Sequence, residues 1–229
     1  MTAERRDRTA RDVVVVGAGR GAGDIVDLVG CLQSRGAAVR LRGFLDDDPD
    51  MHGALIAGHP VLAALDAAAA LGEVDFIIGI ANYRQPKIRL QVAARLALSA
   101  SRFASLVHPG ASISPAARIG HGCLIFQGAI VGHEAVIGDH AFIGPSAIVS
   151  HHTVVEPGAI VALGAVMCSG AVLGAGAYLG ARSVVRDGTS VGSGALVGIG
   201  SVVLRDVPDD RVVLGSPARI VRDTSGASR

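Results

Sequence analysis

From Val107 to Val203 an aliphatic residue returns at every sixth position. Val107, Ile113, Ile119, Ile125, Val131 and Ile137 open the series, Val191, Val197 and Val203 close it, and no position between is missed. Two residues before each stands a small side chain, as at Ala117, Cys123, Ala129, Ala135, Ala141 and Ser201. A helix repeats at 3.6 and an alternating strand at 2, so neither produces this pattern. A strict period with one aliphatic and one small position per unit marks a solenoid. Hexads of this kind build a parallel β-helix, in which each short strand is one side of a triangular prism and three hexads make one coil. The aliphatic residue points into the prism, the small one lets the chain turn its corner, and each coil depends on the next for burial.

The hexads account for the second half of a 229-residue chain, and their start near Leu106 predicts two domains. The expected limits are 1–106 for a substrate-binding α/β domain, 107–222 for the coil with its C-terminal tail, and 223–229 for a disordered end. Aromatic residues make up 3% and there are 31 glycines, which suits coils of Ala, Val, Ile and Gly turns. A formal charge of +1 without a basic stripe argues against nucleic acid and against a polybasic membrane anchor. Pro157 to Ala181 has no charged residue and the hydropathy of a membrane span, yet the hexad phase runs through it. Membrane insertion is therefore rejected, and the uncharged outward positions are expected to face another subunit. Cys31, Cys123 and Cys168 are odd in number and lack metal-type spacing, as expected of buried free thiols in a cytoplasmic protein. The first residues, with Arg5, Arg6, Asp7 and Arg8, lack the apolar core of a signal peptide.

Ahead of the coil, the apolar run Val13 to Val16 enters Gly17-Ala18-Gly19-Arg20-Gly21-Ala22-Gly23. The reading is a buried parallel strand, a glycine loop and an amphipathic helix from Asp24 to Leu32. Further expected elements are a strand from Val39 to Leu45, the acidic turn Asp46-Asp47-Asp48-Pro49, and an Ala-rich helix after Pro60. A strand Phe76 to Ile80, a helix Gln85 to Leu98 and a strand Phe103 to Leu106 complete a small parallel sheet covered on both faces. A glycine loop at a helix start can cradle a phosphate through unpaired N–H groups and the positive end of the helix dipole. The same loop also serves as a plain strand-to-helix turn. It lacks the second half and the acidic residue about 20 positions on that a dinucleotide fold has.

On the coil, His133 and His151 each lie two positions after an inward aliphatic and are three hexads apart, so they stack on one edge of adjacent coils. Glu134 follows the first and His152 the second. Histidine suits general-base work near neutral pH, and a carboxylate beside it can fix its tautomer. His121 and His140 are expected at the surface. His133, His151 and His152 also supply enough imidazoles for a zinc site between neighbouring prisms.

The whole chain resembles the bacterial hexapeptide-repeat acyltransferases that N-acetylate nucleotide-linked amino sugars, and the related sialic acid O-acetyltransferase-like proteins. The resemblance rests on the glycine loop VGAGRGAG, the turn GFLDDDP, the junction LVHPGASISPAARIG, the repeats and the closing LGSPAR. It implies a small Rossmann-like parallel sheet followed by a left-handed parallel β-helix, assembled as a homotrimer with its site between neighbouring prisms. It implies acetyl-CoA as donor and direct attack of the acceptor amine on the thioester, with a histidine as general base and no metal. Repeat counting carries that base to His151, with His133-Glu134 as the rival. His152 stands where the family has an acid, Gly144 where it has Asn, and Ile160 where it has a second histidine. Backbone N–H groups at the coil turns are expected to steady the oxyanion.

By the same resemblance, acetyl-CoA contacts Ser169, Gly170, Gly180, Ala181, Ile199 and Gly200, while the segment Gly215 to Arg219, with Pro217 and Arg219, folds over it. Gly17, Gly19, Arg20, Asp46 and Asp47 are expected to hold the nucleotide sugar, Arg20 replacing a family glycine. Three alternatives stand beside this reading: an O-acetyltransferase acting on a sugar or small molecule, a zinc hydratase of the γ-carbonic anhydrase kind, and an inactive scaffold subunit.

Overall fold

The computed structural model describes residues 11–224; the arginine-rich start and the expected tail from 225 onward lie outside them. The first strand, β1 (Arg11–Val16), is buried from Val13 to Val16 because sheet neighbours and packed elements cover both its sides. Helix α1 (Ala22–Ser34) follows, its buried face formed by Ala22, Ile25, Leu28 and Val29. Strand β2 (Val39–Leu45) pairs in parallel with β1, and so does β5 (Asp75–Ile78) on the other side. Between them come β3 (Leu55–Ile56) and β4 (His59–Ala63), giving the order β3-β4-β2-β1-β5.

Four expectations for this half are corrected. Pro60 lies inside β4, which pairs antiparallel with β3, so the sheet is mixed at its edge. Proline is tolerated there because Pro60 sits opposite Leu55 at a position that needs no donor towards β3, Val61 N–H making the bond to Ala54 O, and the ladder to β2 begins only at Val61. The alanines after it form a 3-10 segment, Leu65–Leu71, rather than an α-helix. Phe103 makes only an isolated bridge to Phe76, and Leu106 already belongs to the first strand of the coil. Helix α2 (Ile88–Leu96) is shorter than expected and ends on Ala97 in a left-handed conformation.

From Leu106 the chain winds in two-residue strands that form three parallel sheets of six, six and five such strands. The first face begins with Leu106–Val107, the second with Ser112–Ile113 and the third with Arg118–Ile119. Register is kept throughout: Ile143 pairs with Val161, Val149 with Met167 and Val155 with Leu173. The hexad aliphatics from Ile125 to Val203 and most of the small residues before them are buried in one column. Each buried Val, Ile, Leu or Met side chain among them contributes about 1.5–3 kcal/mol through removal from water. The tail adds β6 (Arg211–Gly215) and β7 (Ala218–Asp223), an antiparallel hairpin that extends the first face. Asp223 pairs with Arg211 and Thr224 N–H donates to Asp210 O at 2.9 Å, two residues past the expected limit of the coil and its tail.

The α/β domain sits on the first face. Leu106, Leu124 and Phe126 pack into the same cluster as Val13, Val15 and Phe44. At the corner between the third and first faces, Lys87 meets Asp210 at 2.7 Å. Gly158 leaves room at that corner for Leu90, since a Cβ there would lie 2.6 Å from the leucine Cγ. The charge-free stretch from Pro157 divides accordingly: Ile160 and Tyr178 lie on the first face, beside the chain's own α/β domain, whereas Val166 and Val172 lie on the second and third faces. Among the described residues no helix is long and apolar enough to cross a membrane.

Candidate active site

A cavity of about 520 Å³ opens at the carboxyl ends of β1, β2 and β5, lined by Gly17, Gly19, Arg20, Asp46, Ile80 and the coil residue Phe142. The connection after β1 runs to β2 on one side and the one after β4 crosses to β5 on the other, so the strand order reverses here, which is where open α/β sheets bind ligands. The amino end of α1 borders the cavity through Gly21 and Ala22 and brings the positive end of its dipole to it, the Ala22 N–H itself donating to Gly19 O at 2.9 Å. Gly17 has φ +101°, and a Cβ there would lie 2.5 Å from Ile80 Cγ1, so the loop needs glycine for its fold. Phe126 and Phe142 pack with ring centroids 5.0 Å apart and form the coil side of the cavity.

The five residues expected to hold the acceptor do not behave alike. Gly17, Gly19, Arg20 and Asp46 line the cavity, with Arg20 exposed. The carboxylate of Asp46 is engaged within the protein: Ala18 N–H donates to Oδ2 at 2.7 Å and Asp48 N–H to Oδ1 at 3.0 Å. It braces the glycine loop against the end of β2. Asp47 borders a neighbouring cavity of about 240 Å³, where Leu65 N–H and the Arg95 guanidinium hold it. Those contacts, Arg95 first, lower its pKa below the ordinary carboxylate value.

The stacked histidines stand at the corner between the second and third faces. There His152 N–H donates to His133 O at 2.9 Å, and Gly170 N–H to His151 O at 3.1 Å. Nε2 of His151 lies 2.7 Å from Ser169 Oγ, and its Nδ1 lies 2.9 Å from Nδ1 of His152. His152 Nε2 in turn meets Glu134 Oε2 at 3.1 Å, while His133 Nε2 is 3.6 Å from Glu134 Oε1. The three histidines and Glu134 are exposed, and Ser169 is half-buried. Two of the three histidines of the notional zinc set, His151 and His152, thus spend a nitrogen on each other. Among the described residues no group of three His, Cys, Asp or Glu side chains is arranged to hold a metal ion.

Other expectations at the coil need correction. The N–H groups of His152, Ser169 and Gly170 are committed, Ser169 N–H donating to Asp187 Oδ1 at 2.9 Å, so they are not free to hold an oxyanion. His140 is half-buried, its ring edge-on to Phe103 at 4.6 Å, and burial lowers its pKa. Only Cys123 of the three thiols is fully buried; burial pushes it up to about 11. Gly144 has no room for the family asparagine, since a Cβ would lie 2.9 Å from Leu163 N. Ile160 is buried on the first face, away from the histidine corner.

Residues assigned to acetyl-CoA fall on two corners. Ser169 and Gly170 continue the histidine corner, whereas Gly180, Ala181, Ile199 and Gly200 follow first-face strands, at the corner with the second face. Ile199 there is 82% exposed. Pro217 and Arg219 lie exposed on the terminal hairpin, near the first face. Within one chain these groups are not brought together.

No protein-family model matches the chain, and no curated protein does. Solved structures do. The acetyltransferase domain of PglB from Neisseria gonorrhoeae, in complex with acetyl coenzyme A, is similar with a TM-score of 0.81 and 27% identity over 93% of this chain and 100% of that one. A histidine-to-alanine variant of GDP-perosamine N-acetyltransferase from Caulobacter crescentus, in complex with CoA and GDP-perosamine, gives 0.80 and 26% over 93% and 97%. WeeI from Acinetobacter baumannii shares the fold, with a TM-score of 0.60 and 21% identity over 93% of this chain and 100% of that one. The resemblance read from the sequence is borne out over nearly the whole chain, in the coil and in the α/β domain ahead of it: the chain has the fold of the hexapeptide-repeat acyltransferases built on a left-handed β-helix, and the neighbours solved with acetyl coenzyme A or CoA are acetyltransferases.

Proposed function

We propose that this protein transfers an acetyl group from acetyl-CoA to the amine of a nucleotide-linked amino sugar, with His151 as general base. The observation that carries the reading is the setting of His151, one nitrogen backed by a second imidazole and the other presented to a hydroxyl. A base oriented from behind and facing a protic group is what proton removal during acyl transfer requires. The neighbour solved with CoA and GDP-perosamine supports a nucleotide-sugar acceptor, and the neighbour solved with acetyl coenzyme A supports the donor. The glycine loop, the amino end of α1 and Arg20 suit a diphosphate, and the aromatic pair suits an apolar or stacking group.

In this mechanism the acceptor amine takes the place of the Ser169 hydroxyl at Nε2. As its nitrogen attacks the thioester carbonyl, its proton passes to His151, and CoA leaves as the thiolate, which recovers that proton.

The active unit is a homotrimer. The α/β domain covers the first face, and the histidine corner lies opposite, between the second and third faces, so cavity and base stand apart in one chain. Packing the histidine corner of one copy against the next would join them, and would also bring Ser169 and Gly170 towards Ala181 and Ile199 of a neighbouring copy. Outward aliphatics support such packing: Ile130, Ile148, Val166, Val184 and Val202 line the second face and Val136, Val154 and Val172 the third. A CoA-dependent enzyme with free thiols works in the cytoplasm.

Thiol release from acetyl-CoA with a panel of uridine-, guanosine- and thymidine-diphosphate amino sugars tests the activity. His151→Ala should abolish turnover and His133→Ala should retain it; loss in His133→Ala alone overturns the assignment. A monomer by light scattering at micromolar concentration overturns the trimer.

A further inference from the structure

Behind His151 runs a chain of side chains drawn from two successive coils. Glu134 belongs to the coil before, yet its Oε2 lies 3.1 Å from Nε2 of His152, whose Nδ1 lies 2.9 Å from Nδ1 of His151. Glu134 and His152 occupy equivalent turn positions with φ +54° and +57°, which the next two coils fill with Gly170 and Gly188. Side chains are thus kept at two corner positions whose left-handed backbone favours glycine.

The order of protons along the chain follows from one fact: a carboxylate only accepts. Nε2 of His152 must therefore carry a proton to donate to Glu134. In a neutral imidazole that leaves Nδ1 of His152 bare, so the proton of the histidine–histidine bond belongs to Nδ1 of His151. Nε2 of His151 is then the nitrogen with the free lone pair, and it is the one that faces Ser169 Oγ at 2.7 Å. The opposite order would set a lone pair of His152 against the carboxylate.

We propose that Glu134 and His152 are positioning residues for the acyl transfer, and that together they hold His151 in the Nδ1–H tautomer with Nε2 ready to take a proton. This rests on reading His151 as the base. The acid absent beside His151 is supplied by the coil before it, through one intervening imidazole. His133, 3.6 Å from the other carboxylate oxygen, stands outside the chain.

The test combines histidine ¹⁵N NMR without substrate with steady-state kinetics. Wild-type His151 should show the Nδ1–H signature. His152→Ala and Glu134→Ala should lose that signature as the dominant form and lower kcat by roughly tenfold or more, with the KM for acetyl-CoA within about twofold. Asparagine tolerates left-handed backbone and offers an acceptor, so His152→Asn should recover part of both. An Nε2–H signature in wild-type His151, or full kcat in both alanine variants, overturns the proposal. Absence of thiol release with every acceptor would instead overturn the acetyltransferase reading, and the tautomer measurement would still decide the proton order.

Discussion

The guanidinium of Arg89 donates its Nε–H to the main-chain carbonyl of His140 at 2.5 Å, from helix α2 across to the coil. Nη1 of the same group serves Ile78 O at 2.7 Å and Ile80 O at 2.8 Å, at the end of β5 and in the cavity wall. Arg89 is fully buried, with no carboxylate partner among the described residues, and burial pushes its pKa down to about 10. It remains charged at neutral pH, its cost offset by three carbonyls and by Phe142, whose ring centroid is 5.9 Å away. Arg89→Ala should lower stability by on the order of 3 kcal/mol, because it leaves those carbonyls unpaired in a cavity. Arg89→Lys should recover only part, since an ammonium lacks the planar fork. Urea midpoints check both, and a change within about 0.5 kcal/mol in Arg89→Ala would contradict the role.

The coil was legible because its signal is redundant: a missed hexad would show against all the others, and Val107 to Val203 has none. The α/β domain carries each element once, so Ala67 to Ala70 read as helix on composition while packing made them 3-10, and β3 and β4 were too short to register. Arg89 looked like any helical arginine, since nothing local shows which helix face meets another domain. At the histidine corner, period alone placed His133 over His151. It could not show that Glu134 comes nearer to His152 than to its sequence neighbour His133, because that depends on side-chain direction rather than register.

Asp12 gives the fold a pH dependence. Hydrogen bonds from Arg40, and also from Arg42, hold its carboxyl down at about 2 against burial. An unfolded aspartate titrates near 3.9, so the unfolded chain binds the proton first as pH falls. The contribution is complete above about pH 4 and is lost as pH drops towards 2. Asp12→Asn should therefore narrow the difference in urea midpoint between pH 5 and pH 2.5, and an unchanged difference would assign the acid sensitivity elsewhere.

Two glycines separate fold from ligand at the loop. Gly17→Ala should destabilise, since its Cβ meets Ile80 and its φ is positive, whereas a Cβ on Gly19 meets nothing within 4 Å although Gly19 lines the cavity. Gly19→Ala should keep the thermal midpoint within about 2 °C, as expected of a substitution that costs no contact. It should still weaken nucleoside diphosphate binding by calorimetry. Equal binding by wild type and Gly19→Ala would reduce the loop to a plain strand-to-helix turn.

Ser169 decides between direct transfer and a covalent route. Its hydroxyl lies 2.7 Å from His151 Nε2, a nucleophile–base distance, and Ser150 Oγ is 3.4 Å further on. A serine nucleophile would take the acetyl group and pass it on, so its loss would be as severe as loss of His151. In direct transfer the hydroxyl only holds the place that the acceptor amine occupies. Ser169→Ala should then keep kcat within about tenfold of wild type, while His151→Ala falls much further. Mass spectrometry of wild-type protein incubated with acetyl-CoA alone should find no acetyl group on Ser169. An acetylated Ser169 that forms and decays at the rate of turnover would replace direct attack by a two-step transfer, with the same histidine serving both steps.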